Sequence, residues 1–287
     1  MLARRRPIPR QEILKRLREN IKNGKPIVGA GAGIGLSAKF EEAGGADLIV
    51  IYDSGRYRMH GRPSTCGHQP LGDANTVVMQ MAREVLPVVK HTPVLAGVFA
   101  HDPFVFMDEF LEKVKAAGFS GIQNFPTLAS YDGKVRAELE EVGFGYYNEV
   151  EMVKMAREMD LLTTPYVYNV SECERMVDAG ADIIVVHCGC TMGGSTGVSD
   201  KVSVALDYAC EFVQEIRDRA VELNPEIMVI AHGGPLARPS DFDYLMKHTN
   251  GVHGFYGASS IERIPVEIAI ENCVKEFKTV RMKPETL

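Results

Sequence analysis

The chain has 287 residues, of which 45% are hydrophobic and 24% are charged, and its formal net charge is −6. This composition is typical of a soluble globular enzyme, and the length suits either two ordinary domains or one large α/β barrel. No long basic run is present, so we expect no nucleic-acid partner. No stretch approaches the roughly 18 apolar residues of a membrane span, so we expect no membrane partner.

The cysteines and the amino terminus bear on the compartment. Residues 1–20 are basic but lack the apolar core of a secretory signal. The six cysteines are scattered without the spacing of a disulfide framework, which fits a reducing compartment. Cys188 and Cys190 fit either a metal or redox pair or two buried thiols. We therefore expect a cytoplasmic location.

The predicted elements alternate along the chain. An amphipathic helix begins at Gln11. Eight short apolar runs follow, and they occupy residues 25–33, 46–55, 92–103, 119–127, 161–169, 181–189, 226–235 and 251–260. Helical stretches lie after them, at 37–45, 74–89, 105–118, up to about 159, 171–180, 200–222, 239–249 and 264–278. Continuous apolar runs are typical of parallel strands that are buried on both faces.

Eight strand–helix units predict a TIM (β/α)8 barrel, an α/β fold of about 250 residues. An open doubly wound sheet is the alternative. We interpret the chain as a single domain, 1–287. Residues 1–24 form an amino-terminal helical extension that covers the bottom of the barrel or joins an oligomer contact, and residues 25–280 form the barrel. The irregular segment 54–73 is predicted to be an active-site loop, since loops of this length are usually functional.

The active site of a TIM barrel lies at the carboxyl ends of its strands. The candidate catalytic residues at these ends are Asp53, Asn124, His187 and His232. Asp102 with Asn124 and water forms a hard oxygen set that suits Mg²⁺. A rival assignment makes His101, His187 and His232 zinc ligands. Glu149 either approaches this rim or is a surface charge, and each polar residue could simply cap the next helix.

Two glycine-rich segments, "HGGP" (232–235) and "YGASSIER" (256–263), follow the last two strands. TIM barrels often bind phosphate between these loops, at the start of a helix. The predicted anion-binding residues are Gly233, Gly234, Gly257, Ala258, Ser259 and Ser260. Alternatively, Ser259 or Ser260 only caps the last helix. The stretch "GAGAGIG" does not fit the dinucleotide motif, because its third glycine would fall on Ile34 or Leu36, so we expect no nucleotide cofactor.

Several long stretches resemble a known family. They include "GAGAGIGLSAKFEEAGGADLIVIYDSGRYRMHG", "GFSGIQNFPT", "AGADIIVVH", "HGGP" and "GFYGASSIERIPVE". Over residues 8–280 the chain closely resembles the phosphoenolpyruvate hydrolase-like TIM-barrel family, which is related to the phosphoenolpyruvate mutase and isocitrate lyase barrels. In those enzymes a Ser-Gly after the second strand binds the substrate carboxylate, which implies this role for Ser54 and Gly55.

The resemblance also implies that Asp102 holds Mg²⁺, since acids after the third strand do so in the related enzymes. The paired aspartates of those enzymes are replaced by Ala100-His101-Asp102, and their Lys-Lys-Cys-Gly-His catalytic loop is absent. Arg56 and Arg58 are expected to assist Ser54 and Gly55 with the carboxylate.

The leading hypothesis is a homo-oligomeric enzyme that acts on a small phosphorylated or 2-oxo carboxylic acid, such as phosphoenolpyruvate or phosphonopyruvate. The chemistry would be metal-assisted hydrolysis or lyase chemistry, with a small anionic substrate as partner. A binding or regulatory barrel without turnover is the second hypothesis. A zinc-dependent aldolase is the third.

Overall fold

The computed structural model describes residues 5–69 and 71–282. The parts of the predicted extension, irregular segment and domain that fall on residues 1–4, Pro70 and residues 283–287 lie outside the described residues. Nine parallel strands of the described chain form one sheet. They are β1 (Ile27–Gly31), β2 (Leu48–Ile51), β3 (Val94–Gly97), β4 (Gly121–Gln123), β5 (Leu162–Thr163), β6 (Tyr166–Val167), β7 (Ile183–His187), β8 (Met228–His232) and β9 (Gly254–Gly257).

Helices separate the strands. They are α1 (Arg10–Lys22), α2 (Gly35–Ala43), α3 (Asp53–Met59), α4 (Ala74–Val85), α5 (Met107–Ala117), α6 (Gly133–Glu141), α7 (Tyr147–Glu158), α8 (Val170–Asp178), α9 (Leu206–Leu223), α10 (Pro239–His248) and α11 (Arg263–Lys278). Short 3₁₀ turns occupy Ser64–His68 and Leu128–Ser130. Within the described ranges, no helix combines the length and the apolar character that crossing a bilayer requires.

The sheet closes through one broken strand. Its order is β5-β4-β3-β2-β1-β9-β8-β7-β6, and both end strands belong to the apolar run predicted as the fifth strand. Pro165 separates β5 from β6 and has no N–H group to donate to a strand ladder. β5 pairs with β4 and β6 pairs with β7, so the ring is completed by a single stretch of chain. The predicted TIM-barrel fold is confirmed.

The side chain of Asn124 bridges the break. The Tyr166 N–H donates to Asn124 Oδ1 at 2.7 Å, and Asn124 Nδ2 donates to the Tyr166 carbonyl at 3.2 Å. Asn124 Nδ2 also donates to Glu149 Oε2 at 2.6 Å. Glu149 is fully buried, and burial raises its pKa to about 8. The amide of Asn124 therefore replaces backbone pairing between β4 and β6, and Glu149 is a buried member of this network.

Helix α1 lies across the amino-terminal end of the barrel. Ile13, Leu14 and Leu17 are buried on its inner face. Arg10 Nε donates to Asp182 Oδ2 at 2.9 Å, and Asp182 directly precedes β7. Of the two predicted roles for this helix, the structure shows that it covers the bottom of the barrel, opposite the carboxyl ends of the strands.

The segment 54–73 differs from its prediction as an irregular loop. Helix α3 begins at Asp53, directly after β2, and a 3₁₀ turn follows it. Gly67 in that turn packs so closely that a Cβ atom there would lie 2.0 Å from Ser54 Oγ. Ser54 Oγ donates to the Ser64 carbonyl at 2.7 Å. The segment therefore forms a compact wall beside the carboxyl end of β2.

Helix α11 packs little against the barrel. Among its residues only Arg263 is buried. Four apolar side chains are between 56% and 74% exposed, namely Ile268, Ile270, Val274 and Phe277. A mainly apolar groove of about 470 Å³ lies between α2 and the start of α11, and it contains Leu36, Phe40 and Glu41. Burial raises the pKa of the Glu41 carboxyl to about 8, and neither carboxyl oxygen has a hydrogen-bond partner in the described structure.

Candidate functional site

The carboxyl ends of the strands surround a cavity of about 240 Å³. Its polar lining consists of arginine, histidine and hydroxyl side chains. These are Arg58, Arg263, His68, His187, His232, Tyr52, Tyr166, Ser54, Ser64, Thr65, Thr191, Thr196 and Ser259. Among the described residues that line the cavity, none is an aspartate or a glutamate. Such a lining suits an anionic ligand.

His187 and His232 face each other from the ends of β7 and β8. They are paired in register, and their ring centroids are 4.6 Å apart. The Gly189 N–H donates to His187 Nδ1 at 3.0 Å, which assigns the ring proton of His187 to Nε2. His232 Nδ1 donates to the Tyr256 carbonyl at 2.7 Å, which leaves its Nε2 as an acceptor.

Both imidazoles are neutral near pH 7. Burial, and then the neighbouring His232, lower the pKa of His187 well below its ordinary value. Burial lowers the pKa of His232 to about 4. The pair therefore combines one N–H donor with one free lone pair, so it can both donate a hydrogen bond to a ligand and accept one from it.

Tyrosines surround this pair. Tyr168 stacks on His187, with 4.4 Å between the ring centroids. Tyr166 contacts both histidine rings, at 4.9 Å from each centroid, and its buried hydroxyl has no hydrogen-bond partner in the described structure. Burial raises the pKa of Tyr166 well above its ordinary value and also raises that of Tyr52. Both phenols therefore stay protonated near neutral pH and can donate to an oxyanion.

A buried ion pair supports one wall of the cavity. Arg58 Nε donates to Glu262 Oε2 at 2.7 Å, and both side chains are fully buried. Arg58 Nη2 donates to the Gly31 carbonyl at 2.9 Å. Burial opposes the charge of Arg58, but Glu262, Tyr52 and Glu41 together outweigh that effect and raise the pKa of Arg58. Arg58 Nη1 lies 3.5 Å from Ser64 Oγ, so one edge of the guanidinium contacts the hydroxyls of the wall.

A helical turn leads from β9 into α11. The Ile261 and Glu262 N–H groups donate to the Ala258 carbonyl at 3.1 and 2.9 Å. The hydroxyl of Ser259 lies 3.1 Å from that of Ser64. Ala258 and Ser259 thus line the cavity, and the turn that follows them leads into α11.

The glycines predicted to bind an anion have other contacts. Gly233 and Gly234 have positive φ angles, and a Cβ at either position would lie within 2.3 Å of the carbonyl oxygen of Gly189 or Cys188. The Gly234 N–H donates to the Gly189 carbonyl at 2.7 Å. Gly257 packs against Ile261, where a Cβ would lie 2.6 Å from that side chain. These glycines join neighbouring loops, and the structure does not bring them to the cavity.

Other predicted site residues also lie elsewhere. Arg56 binds Gln80 and Glu84 on α4, each at 3.1 Å. Asp53 lines a neighbouring cavity of about 290 Å³, which it shares with His68 and His101. Burial raises the pKa of Asp53 to about 7. Gly55 is buried in α3, and the Ser260 hydroxyl is buried without a partner in the described structure.

The described residues do not fit either predicted metal. Asp102 accepts hydrogen bonds from Asn75 Nδ2 at 3.1 Å and from the Phe104 N–H at 3.0 Å, and the amide of Asn124 is used in closing the barrel. His101 Nε2 contacts the Gly145 carbonyl at 2.8 Å, away from His187 and His232. No three His, Cys, Asp or Glu side chains of the described chain come together as metal ligands. Neither the magnesium site at Asp102 nor the zinc alternative is assembled.

A family model now adds to this geometry. The model for "Phosphoenolpyruvate hydrolase-like" proteins matches residues 12–280. The chain belongs to this family. It is 53% identical over 274 residues to the ToMV resistance protein Tm-1(GCR237) of Solanum lycopersicum, which covers 96% of this chain and 36% of that protein. It is 34% identical over 275 residues to the putative transcriptional regulatory protein y4pA of Sinorhizobium fredii, with 94% and 44% covered. The chain thus spans less than half the length of these two relatives.

Solved structures share the fold of this phosphoenolpyruvate hydrolase-like chain. A 2,3-dimethylmalate lyase of the phosphoenolpyruvate mutase/isocitrate lyase superfamily superposes with a TM-score of 0.61 at 14% identity, covering 97% of this chain and 93% of the lyase. A phosphonopyruvate hydrolase in complex with oxalate and Mg²⁺ gives 0.56 at 15% identity, with 98% and 92% covered. At such identities the likeness shows the barrel alone.

Sequence reasoning missed several cavity residues of this family member. Tyr52 and Tyr166 lie within the apolar runs 46–55 and 161–169, and Arg263 follows Ser259 by one helical turn. Ser64 and Thr196 lie within loops whose path the sequence pattern does not define. Their place in the cavity depends on how the segments after β2 and β7 fold over the barrel.

Proposed function

We propose that the chain is an enzyme that acts on a small phosphorylated or 2-oxo carboxylic acid, of the phosphoenolpyruvate or phosphonopyruvate type, by lyase or hydrolase chemistry. One observation carries this proposal. The cavity at the carboxyl ends of the strands joins a neutral histidine donor–acceptor pair to arginines and hydroxyls, with no carboxylate in its described lining. The phosphonopyruvate hydrolase that shares the fold is in complex with oxalate, a small dicarboxylate anion, and Mg²⁺.

The chemistry follows from the protonation states. His232 Nε2 is free to accept a proton from substrate or water, and His187 Nε2–H can donate to an oxygen that gains negative charge. The tyrosine hydroxyls add neutral donors in a site of low dielectric, where such donors stabilise an enolate strongly. Cleavage of a C–C, C–P, C–O or P–O bond that leaves the electron pair on an enolate uses these groups. These groups act without Asp102, which accepts hydrogen bonds from Asn75 and the Phe104 N–H.

Direct assays test this function. We expect at least one of phosphoenolpyruvate, phosphonopyruvate, oxaloacetate and 2,3-dimethylmalate to raise the melting temperature and to be converted to product, followed by ³¹P and ¹H NMR. Stabilisation by a ligand that persists without product would favour the second hypothesis, a binding barrel without turnover. The absence of both stabilisation and product would contradict the proposal.

We also propose that the chain is a homo-oligomer in which α11 of one copy covers the α2 groove of another. Both surfaces are apolar and exposed in the single chain, and the groove holds the buried, unpaired carboxyl of Glu41. Lys275 and Lys278 lie in the last turns of α11, and an ammonium group from a second copy would favour ionisation of that carboxyl, whose pKa burial raises in the single chain. Exposed apolar patches of this kind commonly mark protein interfaces.

Sedimentation measures the proposed association. We expect the unaltered chain to sediment as an oligomer and the Phe277→Asp variant to shift toward the monomer. Val142→Asp is the matched control, because Val142 is 69% exposed at the end of α6, away from both surfaces. A concentration-independent monomer for the unaltered chain, or equal effects of the two variants, would contradict self-association through α11.

A further inference from the structure

We propose that Arg263 and Thr196, with the hydroxyls of Ser64 and Ser259, bind one oxyanion of the substrate, a phosphate, phosphonate or carboxylate group, and that they do so without a divalent cation. This inference rests on the proposed function and names the part of the site that binds the charged group. It keeps the predicted Ser259 and replaces the glycine segment "HGGP" by Arg263, Thr196 and Ser64, which the sequence pattern did not indicate.

Arg263 supplies the first observation. It is the first residue of α11, is 4% exposed and lines the cavity. Its Nη2 donates to the Gly193 carbonyl at 2.9 Å and its Nη1 to Glu267 at 3.1 Å. Its Nε is buried without an acceptor in the described structure. A buried polar group without a partner is costly, so a ligand oxygen is the expected acceptor for this N–H.

Thr196 supplies a second, independent observation on the facing loop. Its hydroxyl is also buried without a partner in the described structure, and it lines the same cavity. The preceding residue, Ser195, donates its N–H to Glu267 at 2.9 Å, which fastens the loop to α11. Two side chains whose donors lack acceptors in the described structure therefore line one cavity, from the loop after β7 and from the helix after β9.

Ser64 and Ser259 are the other two side chains of the proposed oxyanion-binding position. Their hydroxyls are 3.1 Å apart, and Arg58 Nη1 lies 3.5 Å from Ser64. The Ile264 N–H donates to the Ser259 carbonyl at 2.9 Å, so Ser259 lies one helical turn before Arg263 and on the same side. The dipole at the start of α11 also favours negative charge.

The charges of the lining explain why no cation is needed. Two guanidinium groups line the cavity, and the described lining contains no carboxylate that could hold a metal ion. The acids that pair with these arginines, Glu262 and Glu267, contact the guanidinium groups from outside the lining. An oxyanion thus meets cationic donors already held in place, whereas a divalent cation would meet only neutral or positively charged groups.

The experiment compares two hydroxyl deletions in one loop. Binding of inorganic phosphate and of oxalate is measured by calorimetry and thermal shift, in EDTA and in Mg²⁺. We expect Thr196→Val to weaken binding on the order of tenfold, the usual effect of losing one hydrogen bond to a charged group. Ser195→Ala is the matched control, because this hydroxyl binds Glu267 and does not line the cavity, and it should change the Kd less than about twofold. Arg263→Gln should weaken binding further, and Thr196→Val keeps the test valid if Arg263→Gln does not fold.

Equal binding in EDTA and in Mg²⁺, together with a selective effect of Thr196→Val, supports the inference. Binding that requires Mg²⁺, equal affinities of Thr196→Val and the unaltered protein, or no binding of either anion would overturn it. The two proposals fail separately. If Thr196→Val weakens anion binding but no substrate is converted, the proposed enzymatic function is refuted. The proposed oxyanion-binding position is then supported. If the protein converts a substrate and Thr196→Val changes neither the turnover nor the Kd, the proposed oxyanion-binding position is refuted. The proposed enzymatic function is then unaffected.

Discussion

His232→Asn is expected to lower kcat/KM for the proposed substrate by about 10²–10⁴-fold, the usual contribution of one general acid–base group. The asparagine side chain can still donate to the Tyr256 carbonyl, as His232 Nδ1 does at 2.7 Å. What it lacks is the basic lone pair at the Nε2 position. The loss should therefore appear in the rate of the chemical step, with little change in the thermal stability of the protein.

The pKa of His232 also predicts how kcat/KM depends on pH. Burial lowers the pKa of His232 to about 4, so its base form is present above that pH. We expect kcat/KM to stay level from pH 7 down to about 5 and to fall only near pH 4, whereas an ordinary histidine would titrate near 6.5. His248→Asn is the matched control, since His248 is exposed and its Nδ1 makes a similar contact with the Tyr244 carbonyl at 2.8 Å. An acid limb near pH 6.5, or equal rates for His232→Asn and the unaltered enzyme, would refute the role of His232.

Arg58→Met is expected to lower the free energy of unfolding by about 3–5 kcal/mol, the range found when one member of a buried ion pair is removed. The variant leaves Glu262 Oε2 and the Gly31 carbonyl without the donors that Arg58 supplies, and Glu262 keeps only the Gly33 N–H at Oε1, although the methionine fills much of the volume. The loss arises from desolvated charge and not from a cavity. Urea unfolding followed by circular dichroism measures it.

An exposed ion pair provides the comparison. Arg219 pairs with Glu174 at 2.7 Å, with 34% and 40% of the two side chains exposed. Arg219→Met should cost less than about 1 kcal/mol, because exposed pairs gain little against solvation. Glu262→Gln combined with Arg58→Met should recover part of the loss by removing the stranded charge. Equal losses for Arg58→Met and Arg219→Met would show that the buried pair does not hold the wall of the cavity.

The barrel was largely predictable because its signal is local. A run such as residues 181–189 is apolar throughout, since a parallel strand inside a ring of helices is buried on both faces. The polar residue that ends such a run marks the carboxyl end of the strand, which correctly placed His187 and His232 together. The break at Pro165 was missed, and with it the structural role of Asn124. In a sequence, a polar residue that ends a strand has the same pattern whether its side chain is catalytic or, like that of Asn124, links two strands of the barrel.

Arg56 and Arg58 show that the sequence does not give the directions of side chains in a segment that lacks a clear periodic pattern. In an irregular loop both could reach one ligand, and this was the expectation. The segment is helix α3, and residues two apart on a helix face different directions. Arg58 therefore points into the cavity wall toward Glu262, and Arg56 points outward toward Glu84. The sign of their charge was evident from the sequence, but their directions depended on the helix.

The sequence by itself determined the family, the alternation of strands and helices, and the end of the barrel at which His187, His232 and Ser259 meet. These properties follow from hydrophobic periodicity and from residues adjacent along the chain. Only the tertiary structure decided that Arg263 and Thr196 present unpaired donors to the same cavity, and that Asp102 is bound by Asn75 and the Phe104 N–H. The physical reason is that a hydrogen bond is satisfied or left open by partners far away in sequence, and no local pattern records which partner arrives.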